Sequence, residues 1–172
     1  ATLAEGLQKA VEDALVKLPI PKVMTYQLAD GWSSVNFVRP AHAVVALHGA
    51  NVVPVSVLGL TAGRETQGHR FEAASPTVVI KDADSYESQM TAEGAVIPGF
   101  EVRRDEIVRQ LDEAAEKVGG GVRPIDDPAL LDEVTALVER PNVLLCQFEP
   151  EYLDVPQECL ILTMKANQKY FP

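Results

Sequence analysis

Long apolar runs, cysteine and positive charge are all scarce in this chain. No hydrophobic stretch approaches the ~20 residues that a membrane helix requires, and the first residues form an amphipathic pattern without a signal-peptide cleavage site. A content of 47% hydrophobic and 23% charged residues over 172 positions describes an ordinary soluble globule. Cys146 and Cys159 are too few and too far apart for a zinc site or a CxxC redox pair. Cys146 lies in the apolar run Val143-Leu-Leu-Cys146 and reads as a buried free thiol, which fits a reduced, cytoplasmic setting. Fifteen lysines and arginines against 25 aspartates and glutamates leave a net charge of −10. That balance argues against nucleic-acid gripping by this piece alone, but leaves room for one local contact within a larger assembly.

Signals for catalysis are also missing. Ser33, Ser34 and Ser56 have no elbow or orienting base around them, so no catalytic residue is assigned. His42 and His48 share a spacing that would put them on one strand face, yet no third ligand accompanies them and no metal site is read. Gly63-Arg-Glu-Thr-Gln-Gly68-His69 has the spacing of a phosphate-cradling loop, but His69 replaces its lysine and no helix is predicted to follow.

What is present is a local concentration of arginine, histidine and glycine. Between residues 31 and 71 three arginines face one glutamate, leaving twelve basic against twenty-four acidic groups elsewhere. Asn36–His42 and Gly63–Phe71 hold Arg39, His42, Arg64, His69 and Arg70, the candidates for RNA or partner contact. A second candidate group, Lys165, Gln168 and Lys169, lies near the C-terminus. Lys165 and Lys169 are four apart and would project to one side of a helix, near the negative end of its dipole.

Periodicity places the elements. Leu3, Leu7, Val11, Ala14, Leu15 and Leu18 form a core-facing helical stripe that Pro19 and Pro21 end. A loop through Asp30–Ser34 follows. Ala43–Leu47 and Val52–Leu58 read as a hairpin around His48–Asn51, with Pro40 and Pro54 confined to edges, strand ends or bulges. Thr77–Ile80 is a further short strand. Helices are predicted over Ser85–Glu93, over Arg103–Val118 up to the triple glycine 119–121, and from an Asp126-Asp127-Pro128 start to Pro141. Asn142–Phe148 reads as a buried strand, and Pro156 opens a last helix through about Asn167. The expectation is one α+β domain over 1–172, a mixed or antiparallel sheet with a hairpin packed against several helices. Both ends look cut, so the chain reads as an excised internal fragment of a longer protein.

Lys17-Leu-Pro-Ile-Pro-Lys22, Phe37-Val-Arg-Pro-Ala-His42, Leu58-Gly59, Gly68-His-Arg-Phe71, Leu131-Asp-Glu-Val134, Leu137-Val-Glu139, Thr163-Met-Lys165 and Gln168-Lys-Tyr-Phe-Pro172 together resemble one family. In order and spacing they are similar to the beta subunit of the bacterial two-subunit glycine–tRNA ligase, over effectively the whole chain and near that subunit's N-terminal side. One departure is Arg140, where relatives often carry an aromatic before Pro141. The resemblance implies a heterotetramer joining glycine to tRNA(Gly). ATP and magnesium would be bound by the alpha subunit, and no cofactor by this stretch. Its partners would be the alpha subunit, the tRNA and the remainder of the beta subunit, with no membrane. The family's beta chain also has a region resembling the editing module of the phenylalanine–tRNA ligase beta chain, to which this stretch is assigned. Three roles stay open: a non-catalytic tRNA- or subunit-contacting module, a hydrolytic editing domain using His42 or His69, and a purely architectural domain.

Overall fold

The computed structural model describes residues 2–39 and 41–172; the edge position expected for Pro40 lies outside the described residues. The chain divides into two compact units, residues 1–95 and 96–172. The class is α+β, with antiparallel strand pairs in the first unit and helices in both. Among the described residues no helix is long and apolar enough to cross a membrane.

The first unit begins with α1 (Leu3–Lys17), closed at its start by a capping box. The Thr2 hydroxyl accepts from the Glu5 amide at 3.3 Å, and the Glu5 carboxylate accepts from the Thr2 amide at 2.8 Å. The predicted apolar stripe is only half covered. Ala4 and Leu7 pack on the buried cluster of Val53, Val55 and Ala62, while Leu3 and Leu18 stay exposed. Gln8 holds the helix in place, its side-chain amide pairing with both the N–H and the C=O of Ser56 at 2.8 Å.

Among the described residues, four two-stranded antiparallel pairs follow. These are β1 (Met24–Gln27) with β2 (Ser34–Phe37), β3 (Leu47–His48) with β4 (Asn51–Val52), β5 (Ser56–Val57) with β6 (Leu60–Thr61), and β7 (Glu65–Gln67) with β8 (Thr77–Val79). The loop expected over Asp30–Ser34 is the connection of the first pair, whose strands the sequence reading left unassigned and whose polar residues Thr25, Gln27, Ser34 and Asn36 are exposed. The single hairpin expected over 43–58 is two. Pro54 has no amide for a ladder, so the run breaks there, and Leu58 and Gly59 turn the chain back with φ of 54° and 75°. Val44–Ala46 knits the pieces together: Gly63 donates to Val44 at 2.9 Å and Val53 donates to Ala46 at 2.9 Å. The last strand pair packs with α2 (Tyr86–Ala92), through Gln89, which is buried. Its amide donates to the Val79 carbonyl at 3.2 Å and to Glu93 at 3.2 Å, and its oxygen accepts from the Lys81 amide at 2.8 Å and the Ser85 hydroxyl at 3.0 Å. A buried amide with every such bond made costs little and specifies one arrangement.

The second unit is built on α3 (Phe100–Val118) and α4 (Pro128–Leu137). Helix α3 ends at Gly119, and α4 starts under the Asp127 cap, which accepts from the Leu130 amide at 3.0 Å. Arg103 joins them by donating to the Thr135 carbonyl at 2.8 Å and to Ile97 and Pro98 at 2.6 and 3.3 Å. After a 3-10 turn (Pro150–Asp154) comes α5 (Gln157–Thr163), which runs into a π-helical turn over Met164–Gln168. The buried strand expected over Asn142–Phe148 is not formed. Residues 141–149 carry no ladder, turn or bend, most of them are exposed, and Cys146 is an exposed thiol instead of a buried one. No strand in the second unit is available to pair with them.

On α3, Glu106 accepts from Arg109 at 2.7 and 2.6 Å and from Gln110 at 2.7 Å. The Arg109 bonds, then Gln110, lower its pKa from 4.5 to about 2. Because the folded value is the lower one, this contribution to stability is complete above pH 4.5 and disappears as pH falls toward 2. Thermal unfolding followed across that window should show Glu106→Gln with a flatter loss of Tm on acidification than the parent. Parallel curves would contradict the assignment. Separately, a Cβ at Gly68 would lie 2.7 Å from the backbone oxygen of Gly94, whereas one at Gly63 meets nothing within 4 Å. Gly68→Ala should therefore lose about 1–3 kcal/mol in urea unfolding, and Gly63→Ala no more than about 0.5 kcal/mol.

Candidate functional site

The eight candidate contact residues divide by what their side chains touch. In the first unit, Arg64 is committed to the fold. Its guanidinium donates to the carbonyls of Ala50 at 2.8 Å, Lys81 at 3.1 Å and Ile80 at 3.3 Å, and its own carbonyl accepts from the Ile80 amide at 2.8 Å. One planar cation thus gathers the β3–β4 turn and the exit from β8, an arrangement suited to the five fixed donors of arginine. The Gly63–His69 stretch is not a phosphate cradle, because Glu65–Gln67 is strand β7 and no helix N-terminus follows it.

The loop between β7 and β8 treats its cations differently. Gly68 lies against Gly94 backbone to backbone, and the His69 amide donates to the Gly94 carbonyl at 2.6 Å. The His69 carbonyl then accepts from the Ala73 amide at 3.1 Å, and its ring Nδ1 accepts from the Phe71 amide at 3.3 Å. Accepting at Nδ1 places the neutral ring's proton on Nε2. These bonds hold the loop while leaving Phe71 85% exposed. The Arg70 guanidinium stands 5.6 Å from the centroid of that ring, and the His69 ring meets it edge-on at 6.3 Å. An exposed aromatic with a stacked guanidinium is a flat, positively edged surface.

Arg39 and His42 are exposed, and among the described residues no hydrogen bond, ion pair or ring contact joins either to the 69–71 loop. In the second unit Lys165 pairs with Asp127, the α4 cap, and Lys169 pairs with Glu133 at 2.9 Å. The Lys165 ammonium, followed by the Leu130 amide, holds the Asp127 carboxyl below the usual range. Gln168 is exposed, and Lys169 caps the π turn in the left-handed conformation with φ 59°. The C-terminal lysines therefore fasten their own segment to α4.

A cavity of about 730 Å³ lies in the second unit between α3, the glycine turn and the start of α4. Arg104 and Arg123 line it together with Asp112, Glu116, Asp126 and Asp127, a carboxylate excess that disfavours an anion. Among the described residues no group of three histidine, cysteine, aspartate or glutamate side chains is arranged to hold a metal ion.

Two of the surface aromatics outside the eight candidates are exposed by more than four-fifths. Phe71 is one, and its signal was adjacency to His69 and Arg70 in a loop. The other is Trp32, 91% exposed at the tip of the β1–β2 hairpin. The Asp30 carboxylate accepts from the Trp32 and Ser33 amides at 3.0 and 2.9 Å to shape that tip, and the Ser33 bonds, with Trp32 after them, lower the Asp30 pKa.

The fold is α+β, and its first unit carries an exposed aromatic ring with a guanidinium over it on the β7–β8 loop. The sequence profile described as "Glycyl-tRNA synthetase beta subunit" matches residues 1–172, and the chain belongs to that family. Relatives named glycine–tRNA ligase beta subunit include those of Leptothrix cholodnii, 77% identical over 172 residues, and Methylobacillus flagellatus, 71% identical over 172 residues. That of Delftia acidovorans is 71% identical over 171 residues. These alignments cover 99–100% of this chain but 24% of each relative, so the chain spans about a quarter of their length.

The division between committed and free arginines has a measurable consequence. Arg64→Ala removes three charge-assisted bonds to carbonyls and should destabilise the fold by about 2 kcal/mol or more. Arg70→Ala should change it by less than about 0.5 kcal/mol. Equal urea midpoints for the two variants would overturn the division.

Proposed function

We propose that this chain is a non-catalytic, tRNA-contacting module of the beta subunit of the ligase that attaches glycine to its tRNA with ATP. In this reading the alpha subunit and the remainder of the beta subunit are its protein partners, and ATP and magnesium chemistry falls to the alpha subunit. The observation that carries the reading is the exposed Phe71 ring with Arg70 stacked over it, on a loop locked by backbone bonds. Unpaired bases of RNA stack on aromatic faces and guanidinium planes, and phosphates meet the cation beside them. The strong acidity of the rest of the chain then serves selectivity: a nucleic acid approaching elsewhere is repelled, so contact is confined to this loop.

The same features bear on the competing roles. Lys165 and Lys169 support architecture, since both are paired within their own unit. A hydrolytic site has no comparable support, because His69 engages its own loop through Nδ1.

The two parts of the contact separate in a salt series on the reassembled two-subunit enzyme with tRNA(Gly). Phe71→Ala should weaken tRNA binding by about 1–3 kcal/mol with an unchanged salt slope, the behaviour of lost base stacking. Arg70→Ala should reduce the slope of log affinity against log salt by about 0.7–1. Parent-like affinity and slope in both variants would remove tRNA contact from this loop.

A further inference from the structure

The segment after α4 conflicts with its own surface. Val143-Leu-Leu-Cys-Gln-Phe148 has the composition and length of a strand covered on both faces, bounded by Pro141 and Pro150. In the structure it carries no ladder, turn or bend, with Leu144 73%, Leu145 64% and Phe148 48% exposed. Leu144 and Leu145 are adjacent, so on a strand they would face opposite sides, and both sides are apolar.

The start of the segment is already held as if by a neighbouring strand. The Gln110 side chain on α3 donates to the Pro141 carbonyl at 3.1 Å and accepts from the Val143 amide at 2.8 Å. A side-chain amide has the donor and acceptor of a peptide group, so Gln110 acts as the first rung of a ladder. Beyond it, the amides of residues 144–148 have no protein acceptor among the described residues. Exposed apolar side chains and unpaired amides together form an edge that templates strand pairing.

We propose that residues 143–148 are a β-strand whose ladder is completed by an extended apolar segment of the beta subunit lying outside residues 1–172. Two observations select that occupant. Relatives matched over their whole alignment by this chain have only 24% of their length in it, which leaves about three-quarters of such a subunit to supply the strand. The apolar character of both faces also calls for a permanent covering, as the interior of one chain provides, more than for a partner that comes and goes.

Hydrogen exchange on the intact beta subunit, alone and without tRNA, tests this against the 172-residue chain. Amides of residues 144–148 should exchange near the unprotected rate in the short chain. One partner strand bonds every second amide, so in the intact subunit the amides of Leu145 and Gln147, on the same edge as the Gln110 rung, should be slowed by about 100-fold or more, as for a ladder bond open about 1% of the time. Cys146, exposed in the short chain, should alkylate slowly in the intact subunit as well. Fast amides in the intact subunit would overturn the proposal. Slow alkylation with fast amides would also overturn it, since a helix or loop would then be the cover. So would protection that appears only with the alpha subunit, only with tRNA, or only as protein concentration rises, the last meaning a second copy pairs there. Gln110→Ala should accelerate exchange at Val143 several-fold in both forms, locating the first rung independently of the rest.

Discussion

Buried main-chain groups outside a regular ladder need partners in turns or side chains, and this constraint sets the path of much of the chain. Among the described residues no strand exceeds four residues and each pairs with one neighbour, so β-structure satisfies little of the backbone. Helices and turns satisfy most of the rest, and a few amide and guanidinium side chains take up part of what these leave. Gln8 bonds to Ser56, Arg64 to the β3–β4 turn and the end of β8, Gln89 to Val79 and Lys81, Arg103 to the carbonyl at Thr135, and Gln110 to Pro141 and Val143. An orphaned buried peptide group costs as much as a lost hydrogen bond, so each of these side chains determines the path of several residues.

The same constraint decides which charges are free. Arginine is the side chain best able to gather several carbonyls, so a chain with few cations and an irregular backbone consumes some of them internally. Arg64 and Arg103 are taken this way, and Lys165 and Lys169 are taken by carboxylates of α4 and its cap. Arg70 stays at the surface because its loop is closed by backbone bonds through His69 and needs nothing from its guanidinium. The locally positive island visible in the sequence is therefore narrower in space than in composition.

Much of the helical layout was legible beforehand, for identifiable reasons. Asp127 before Pro128 and the glycines at 119–121 are short-range signals whose chemistry acts within one turn, and the α4 start and α3 stop fall where they indicate. Strands were less readable. The β1–β2 strands alternate apolar and polar residues for only four positions each, too short a run to stand out, and Pro54 splits a run that composition alone would join. Asn142–Phe148 was misread as buried because apolarity reports what a segment would prefer to touch, not whether a neighbour lies within the same stretch of chain. At the site, residue type marked Arg64 and Arg70 alike, and Phe71, at the end of the same stretch, was not among the candidates.

The sequence by itself determined membership in the glycyl-tRNA synthetase beta-subunit family, the α+β class and the ends of its main helices. These depend on residue identity and on interactions a few positions apart. Only the tertiary structure decided that Arg64 is a clamp, that Arg70 lies over an exposed Phe71, and that the 143–148 segment has no ladder partner within its unit. Each of those outcomes rests on distance between groups remote along the chain, and a string of residues carries no such distances.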